Sequence, residues 1–259
     1  MDLGLNGKRA LVTGSTTGIG LAIAKRLASE GASVWINGRA QSRVDAALGE
    51  MTAGTKGVVA DLATAEGAAK LFAELPALDI LVNNLGIFEN KPFLEIDDSE
   101  WRRFFEVNVI SGARVTRHYL PGMVERKWGR ILFLSSESGV QIPDEMVHYG
   151  VTKAADIALA RGIAETVKGT GVTVNSLLPG PTMTEGVRGV IAGMARDSGR
   201  PAEEIEREFV PLVRPTSLNQ RLASVEEVSA MAAYLCSELA SATNGAPIRV
   251  DGGVVKSAY

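Results

Sequence analysis

The feature that most constrains this chain is a repeated change of apolar period. Seven short apolar runs recur along it: RALVTG (Arg9–Gly14), SVWING (Ser33–Gly38), GVVA (Gly57–Ala60), DILVNN (Asp79–Asn84), RILFLSS (Arg130–Ser136), VTVNSLL (Val172–Leu178) and PIRVDGG (Pro247–Gly253). Each is too short for a helix, and most are rich in Val, Ile and Leu, so they read as buried strands. Between them lie segments of helical period, such as IGLAIAKRLASE, which sets Ile19, Ile23 and Leu27 on one stripe, and AAKLFAEL with Ala68, Leu71 and Leu75. Strand, helix, strand, repeated, requires right-handed crossovers and a mostly parallel sheet with helices on both faces. Residues 1–259 therefore read as a single doubly wound α/β domain with a seven-stranded sheet, and no break marks a second one.

Bulk properties remove several function classes. Hydrophobic residues make up 46% of the 259 and charged residues 22%, which is enough apolar material for a sizeable core. A net charge of −3 gives no basic surface for nucleic acid or an anionic membrane. The lone Cys236 excludes an internal disulfide and fits a reducing, cytoplasmic setting. With His118 and His148 it shows no zinc spacing, so no metal is expected. The N-terminal residues do not read as a signal peptide, and no apolar run reaches 18 residues.

Ligands of such sheets bind at the carboxyl ends of strands, where strand order reverses. The first strand runs into TGSTTGIG, where Gly14, Gly18 and Gly20 let backbone approach a pyrophosphate at a helix N-terminus. The spacing is looser than G-x-G-x-x-G, and a plain glycine loop is the alternative. After the second strand the chain reads INGRAQSR. No acidic residue is there to accept from a ribose 2′-hydroxyl, and Arg39 suits a 2′-phosphate in charge and fork geometry. NADP is thus favoured over NAD; the competing reading of Arg39 is a solvated charge. Ser15 could also reach that phosphate. Asp61 could accept from an adenine amino group or cap the helix beginning near Thr64. Asn83 and Asn84, before Gly86, could bond backbone across neighbouring strands and face the cofactor.

In VHYGVTK, Tyr149 and Lys153 stand one helical turn apart on one face. An ammonium near the phenol favours the phenolate and lowers its pKa, which would let the phenol act as general acid or base. A tyrosine–lysine pair alone is weak evidence. A serine at Ser135–Ser136 ends the preceding strand and could bond the same substrate oxygen. Asn108, polar amid Val107, Val109 and Ile110 in a helix expected over Trp101–Arg126, needs a partner if buried; a water between it and Lys153 would carry protons to solvent.

TGSTTGIG, NNLG, Asn108, Ser136, YGVTK and PGPTMT, in that order and spacing, resemble the short-chain dehydrogenase/reductase family from Leu5 to Gly253, and within it the 3-oxoacyl carrier-protein reductase branch. The resemblance implies a Rossmann-type fold, hydride transfer with a nicotinamide nucleotide, and a homotetramer or homodimer. It implies Tyr149 as acid/base, Lys153 lowering its pKa and binding the nicotinamide ribose, Ser136 orienting the carbonyl and Asn108 holding a relay water. Gly14, Ser15, Gly18, Ile19 and Gly20 would line the pyrophosphate; Asp61 and Leu62 would lie by the adenine, Asn84 and Gly86 by the ribose. Pro179, Gly180 and Thr182 would meet the carboxamide, with Thr184 close to the phosphates. Arg39 matches the NADP-type position. Two positions depart: Leu85 replaces the usual alanine of NNLG, and Thr17 occupies a place often basic in NADP-dependent members.

Residues 185–215, with two short helices EGVRGVIAGMAR and AEEIEREFVPLV, are expected to form a substrate lid that excludes water; a fixed insertion is the alternative. Asp144 and Glu145 read as surface charge, or as contacts to a polar or cationic substrate, and argue against an anionic carrier protein. Trp101, Phe104 and Phe105 read as core. The apolar C-terminal stretch and the helices bearing Asn108 and Tyr149 suggest burial between subunits. The substrate class is a ketone or secondary alcohol. A nucleotide-binding sensor or scaffold with little catalysis, and an epimerase or dehydratase on the same fold, are the competing readings.

Overall fold

The computed structural model describes residues 2–258. All seven expected strands form: β1 (Arg9–Val12), β2 (Ser33–Gly38), β3 (Lys56–Val59), β4 (Ile80–Asn83), β5 (Gly129–Leu134), β6 (Val172–Pro179) and β7 (Pro247–Val250). They make one sheet in the order β3-β2-β1-β4-β5-β6-β7, and every pairing is parallel. The central strands carry unbroken apolar runs because both faces are covered. Between strands run α1 (Gly18–Ser29), α2 (Gln41–Gly49), α3 (Ala65–Glu74), α4 (Asp98–Phe105), α5 (Ser111–Glu125) and α6 (Val147–Thr166). After β6 come α7 (Glu185–Ser198), α8 (Ala202–Val213) and α9 (Val225–Leu235).

Two apolar layers sandwich the sheet. One joins Leu21, Ile23 and Leu27 of α1 to Val228 and Ala232 of α9 over Val12, Ile36 and Val82. The other gathers Leu71 of α3, Val115 and Tyr119 of α5, and Ala160 and Ala164 of α6 over Leu11, Leu81, Ile131 and Phe133. The α7–α8 pair has a small cluster of its own, Ile191, Ile205, Val210 and Leu222. Phe104 is fully buried, as expected, whereas Trp101 and Phe105 are only half-buried.

The long helix expected over Trp101–Arg126 is interrupted. Residues Glu106–Ile110 form a wider π turn between α4 and α5. Such turns insert one extra residue and re-aim side chains, and they recur at functional sites. Here the re-aimed side chain is Asn108, now pointing inward. Strand order reverses between β1 and β4, which are neighbours in the sheet although two strands separate them in sequence. The crevice at their carboxyl ends is where the glycine turn and NNLG meet.

Candidate active site

A cleft of about 900 Å³ opens at that switch point, at the upper end of the size range of small-molecule sites. Its floor at one end is Gly14, Gly18, Ile19 and Gly20, with Arg43 and Glu50 beyond. At the other end stand Ser136, Tyr149 and Lys153, with Ile87 and Phe88 at the rim. Asn84, Gly86, Pro179, Gly180 and Thr184 line it as expected, whereas Ser15, Arg39, Asp61, Leu62, Asn108 and Thr182 lie outside the lining.

The glycine turn is held open by its neighbours. Thr13 Oγ1 accepts from the N–H groups of Asn84 and Leu85, both at 3.0 Å. The Asn84 amide donates to Thr13 O and Gly14 O at 2.9 Å. Asn37 Oδ1 accepts from Gly14 N, while its amide donates to Val58 O and Ala60 O. Gly14 has φ +59°, a conformation glycine adopts without strain. At Gly20 a side chain would lie 2.3 Å from Asn84 Nδ2, so only glycine fits there. The N-terminus of α1 has no side-chain cap and no acidic residue in its first turn. Its unpaired N–H groups face the cleft, as an anion requires.

Several sequence expectations change here. Ser15 is fully buried: its hydroxyl donates to Val12 O at 2.6 Å and accepts from Asn37 N. It cannot also reach a 2′-phosphate, and only its backbone belongs to the turn. Asp61 does not cap α3; its Oδ1 accepts from Ala63 N, while Thr64 Oγ1 caps the helix by accepting from Gly67 N. Leu62 buries its side chain and offers its carbonyl to Arg114. Asn83 turns from the cleft to donate to Thr116 Oγ1. The Thr182 hydroxyl donates to Gly180 O, and Thr184 Oγ1 caps α7. Arg39 is exposed and lies just outside the lining, whereas Arg43, four residues on, lies in it. The sequence reading missed Arg43; its signal was position in the first turn of the helix that follows Arg39.

At the chemical end, the π turn delivers Asn108 to the loop after β4. Asn108 Oδ1 accepts from Ile87 N at 2.8 Å, and its amide donates to Ile87 O at 3.0 Å and Thr152 Oγ1 at 2.9 Å. All three bonds tie it to backbone or to α6, and none reaches Lys153. An atom built where a Gly86 side chain would start lies 3.5 Å from Lys153 Nζ and 3.6 Å from Asn108 Oδ1. Glycine at 86 thus keeps the space beside these two groups free of a side chain.

Lys153 is buried, and its ammonium donates to Leu134 O at 2.7 Å and Asp156 Oδ2 at 3.1 Å. It lies 5.9 Å from the centre of the Tyr149 ring. Burial alone would lower the Lys153 pKa, but the charges of Asp156 and of the phenolate hold it above its ordinary value. The outcome for Tyr149 differs from the sequence expectation. Burial raises the phenol, and the charge of Lys153 and the bond to Ser136 only partly offset that rise. Burial is the main cause, and the charges of Glu137 and then of Asp156, which the sequence reading passed over, add to the rise; the Asp156 carboxylate also accepts from the ammonium that was expected to serve the phenol alone. Glu145, read as surface charge, accepts from Arg214 at 3.2 Å. Among the described residues no helix is long and apolar enough to cross a membrane, and no cluster of acidic, histidine or cysteine side chains could hold a metal.

With this geometry in place, comparison with known proteins decides the family. Residues 8–194 match the family model described as short chain dehydrogenase. The chain belongs to the short-chain dehydrogenases. It is 47% identical over the whole of both chains to an uncharacterized oxidoreductase, YvaG, of Bacillus subtilis. It is 36% identical to the 3-oxoacyl-[acyl-carrier-protein] reductase FabG of Aquifex aeolicus, covering 98% of this chain and 100% of that one. L-sorbose reductase from Gluconobacter frateurii, solved with NADPH and L-sorbose, superposes with a TM-score of 0.93 at 32% identity, over 99% of this chain and 100% of that one. This short-chain dehydrogenase is an NAD(P)-dependent oxidoreductase that transfers hydride, on a single Rossmann-type domain.

Proposed function

We propose that the protein interconverts a ketone and a secondary alcohol with NADP as the preferred nucleotide and Tyr149 as general acid/base. The observation that carries this reading is the convergence of Ser136, Tyr149 and Lys153 on one end of a cleft whose other end is an uncapped helix N-terminus. The bound nicotinamide supplies or accepts the hydride. The chain's own residues do the rest. The Tyr149 hydroxyl gives its proton to the carbonyl oxygen in reduction and takes it back in oxidation. Ser136 bonds that oxygen. Lys153, held by Leu134 O and Asp156, keeps a positive charge beside the phenol and stabilises it once deprotonated. The space that Gly86 leaves beside Asn108 and Lys153 gives the phenol a path to solvent protons. Ile87 and Phe88 shield the reacting centre, with the Phe88 ring edge-on to Tyr149 at 6.3 Å.

Arg43 lines the glycine-turn end of the cleft, Arg39 follows β2 just outside it, and no acidic residue stands at the end of β2; this supports NADP. The backbones of Asp61 and Leu62 border the adenine, Asn84 and Gly86 the ribose, and Pro179, Gly180 and Thr182 the carboxamide. Thr184, in the cleft beside Gly18, stands by the phosphates. Residues 185–215 act as the lid. The protein works in a reducing, cytoplasmic compartment as a homotetramer or homodimer.

The test is a panel of ketoses, small ketones and acyl thioesters reduced with NADPH and followed at the nicotinamide absorbance. Turnover by the wild type, with loss of at least about two orders of magnitude in Tyr149→Phe, supports the reading; general acid–base groups contribute about 10²–10⁴-fold. Full turnover by Tyr149→Phe removes it.

A further inference from the structure

The residue after the catalytic serine is a buried acid, and no role assigned so far uses it. Glu137 is 4% exposed. Its Oε2 accepts the hydroxyl proton of Ser136 at 2.5 Å. Its Oε1 accepts from Ser138 Oγ at 3.1 Å and from Arg214 Nε at 2.8 Å. Arg214 is the residue at which α8 ends, the stem of the α7–α8 segment. It also donates to Glu145 Oε1 and Val213 O. Two carboxylates on the loop between β5 and α6 therefore clamp one guanidinium from the far side of the cleft, and the side chain of Arg214 is only 13% exposed.

This arrangement bears on the serine. A hydroxyl has one proton and two lone pairs. With the proton directed at Glu137 and one lone pair taking Ser138 N–H at 3.1 Å, the Ser136 oxygen is fixed in place, and its hydroxyl turns from Glu137 to donate to a carbonyl oxygen that enters the site. A buried carboxylate is tolerated only when paired, and its partner is supplied by the lid stem, not by the loop itself.

We propose that Glu137 is a positioning residue for Ser136, and that Arg214 holds Glu137 and offsets its charge, so that the stem of the lid sets the electrostatic environment of the catalytic tyrosine. The charged groups around Tyr149 are Lys153 and Asp156 from α6 and Glu137 from the loop after β5, with Arg214 behind Glu137. Lys153 favours the phenolate, whereas Glu137 and Asp156 oppose it. Removing the Glu137 charge therefore makes Tyr149 more acidic. Removing Arg214 leaves that charge unopposed and makes Tyr149 less acidic.

The proposal rests on the reading of Tyr149 and Ser136 given above, and the experiment separates the two. Tyrosinate formation is followed by ultraviolet difference titration of the whole protein, with Tyr149→Phe as the blank that removes the other tyrosines. Glu137→Gln is expected to lower the Tyr149 midpoint by about half a pH unit or more, and Arg214→Gln to raise it by a similar amount. The double variant Glu137→Gln/Arg214→Gln should return it towards the wild type. Reduction by Glu137→Gln should show a lower kcat with NADPH affinity unchanged. If Arg214→Gln does not fold while the double variant does, the dependence of Arg214 on Glu137 is shown through stability instead. Midpoints that stay put or move in the same direction in both single variants overturn the proposal, as does failure of both Arg214 variants to fold. None of these outcomes touches the general reading, which fails only if Tyr149→Phe keeps its turnover.

Discussion

Asn108→Ala offers the sharpest separation of architecture from chemistry. The substitution removes three hydrogen bonds at once: one from Ile87 N, one to Ile87 O and one to Thr152 Oγ1. A net bond contributes about 1 kcal/mol, and a buried group left unpaired costs about 1–3. Ile87 is half-buried, so water recovers part of the loss on that side, while the buried Thr152 hydroxyl keeps only its donation to Tyr149 O. The sum is about 3 kcal/mol. Unfolding entropy of about 2.1 cal/mol/K per residue gives roughly 0.5 kcal/mol/K for this chain, so the thermal midpoint should fall by about 5–6 °C. Because Ile87 lines the cleft, the affinity for NADPH should weaken as well. The assay is paired: thermal unfolding by circular dichroism, and NADPH titration by fluorescence. Asn108→Asp gives the control, since it keeps the acceptor for Ile87 N but sets an oxygen against Ile87 O at a position now 3.0 Å from it. A midpoint for Asn108→Ala within about 1 °C of the wild type, with NADPH affinity unchanged, would refute the claim that the π turn and its asparagine pin the wall of the cleft.

Two further outcomes are expected. Arg39→Ala and Arg43→Ala should each lower the NADPH-over-NADH preference about tenfold or more, since a charge-assisted bond to phosphate contributes about 1.5–3 kcal/mol; equal loss for both nucleotides in steady-state kinetics would reject the 2′-phosphate contact. Asp156 is raised by burial to about 6, so the folded chain keeps a proton there that the unfolded chain releases from about pH 4 upward. That contribution makes the wild type lose stability as pH rises across the window, so it should lose ground to Asp156→Asn between about pH 4 and 6.5. A constant difference in thermal midpoint over that range would contradict it.

The fold was legible because its determinants are local. Each strand announces itself by a short Val, Ile and Leu run, and each crossover by a helical stripe, so β1 to β7 fall where the runs lie. The site positions at strand ends followed from the same alternation. What stayed hidden depends on partners distant in sequence. Ser15 reads as a phosphate ligand until Asn37, 22 residues on, is seen to share its hydroxyl with Val12 O. The π turn cannot be told from a regular helix by apolar period, because one added residue shifts the stripe by less than the scatter of EVNVI. Asp156 sits three residues past Lys153 and looks like a solvated acid until α6 is packed against β5. Glu137 and Arg214 lie 77 residues apart and meet only when the chain after β6 returns over the cleft.

The lattice of Thr13, Asn37 and Asn84 around the glycine turn has a consequence for binding. These three side chains brace the nucleotide cradle from within the sheet, so its backbone has little freedom left to surrender when a dinucleotide arrives. The helices α7 and α8, by contrast, share only a small apolar cluster and are moored to the loop before α6 by a few polar ties. The cradle is thus built in advance, so a dinucleotide that docks there spends little of its binding energy on ordering the backbone beneath it.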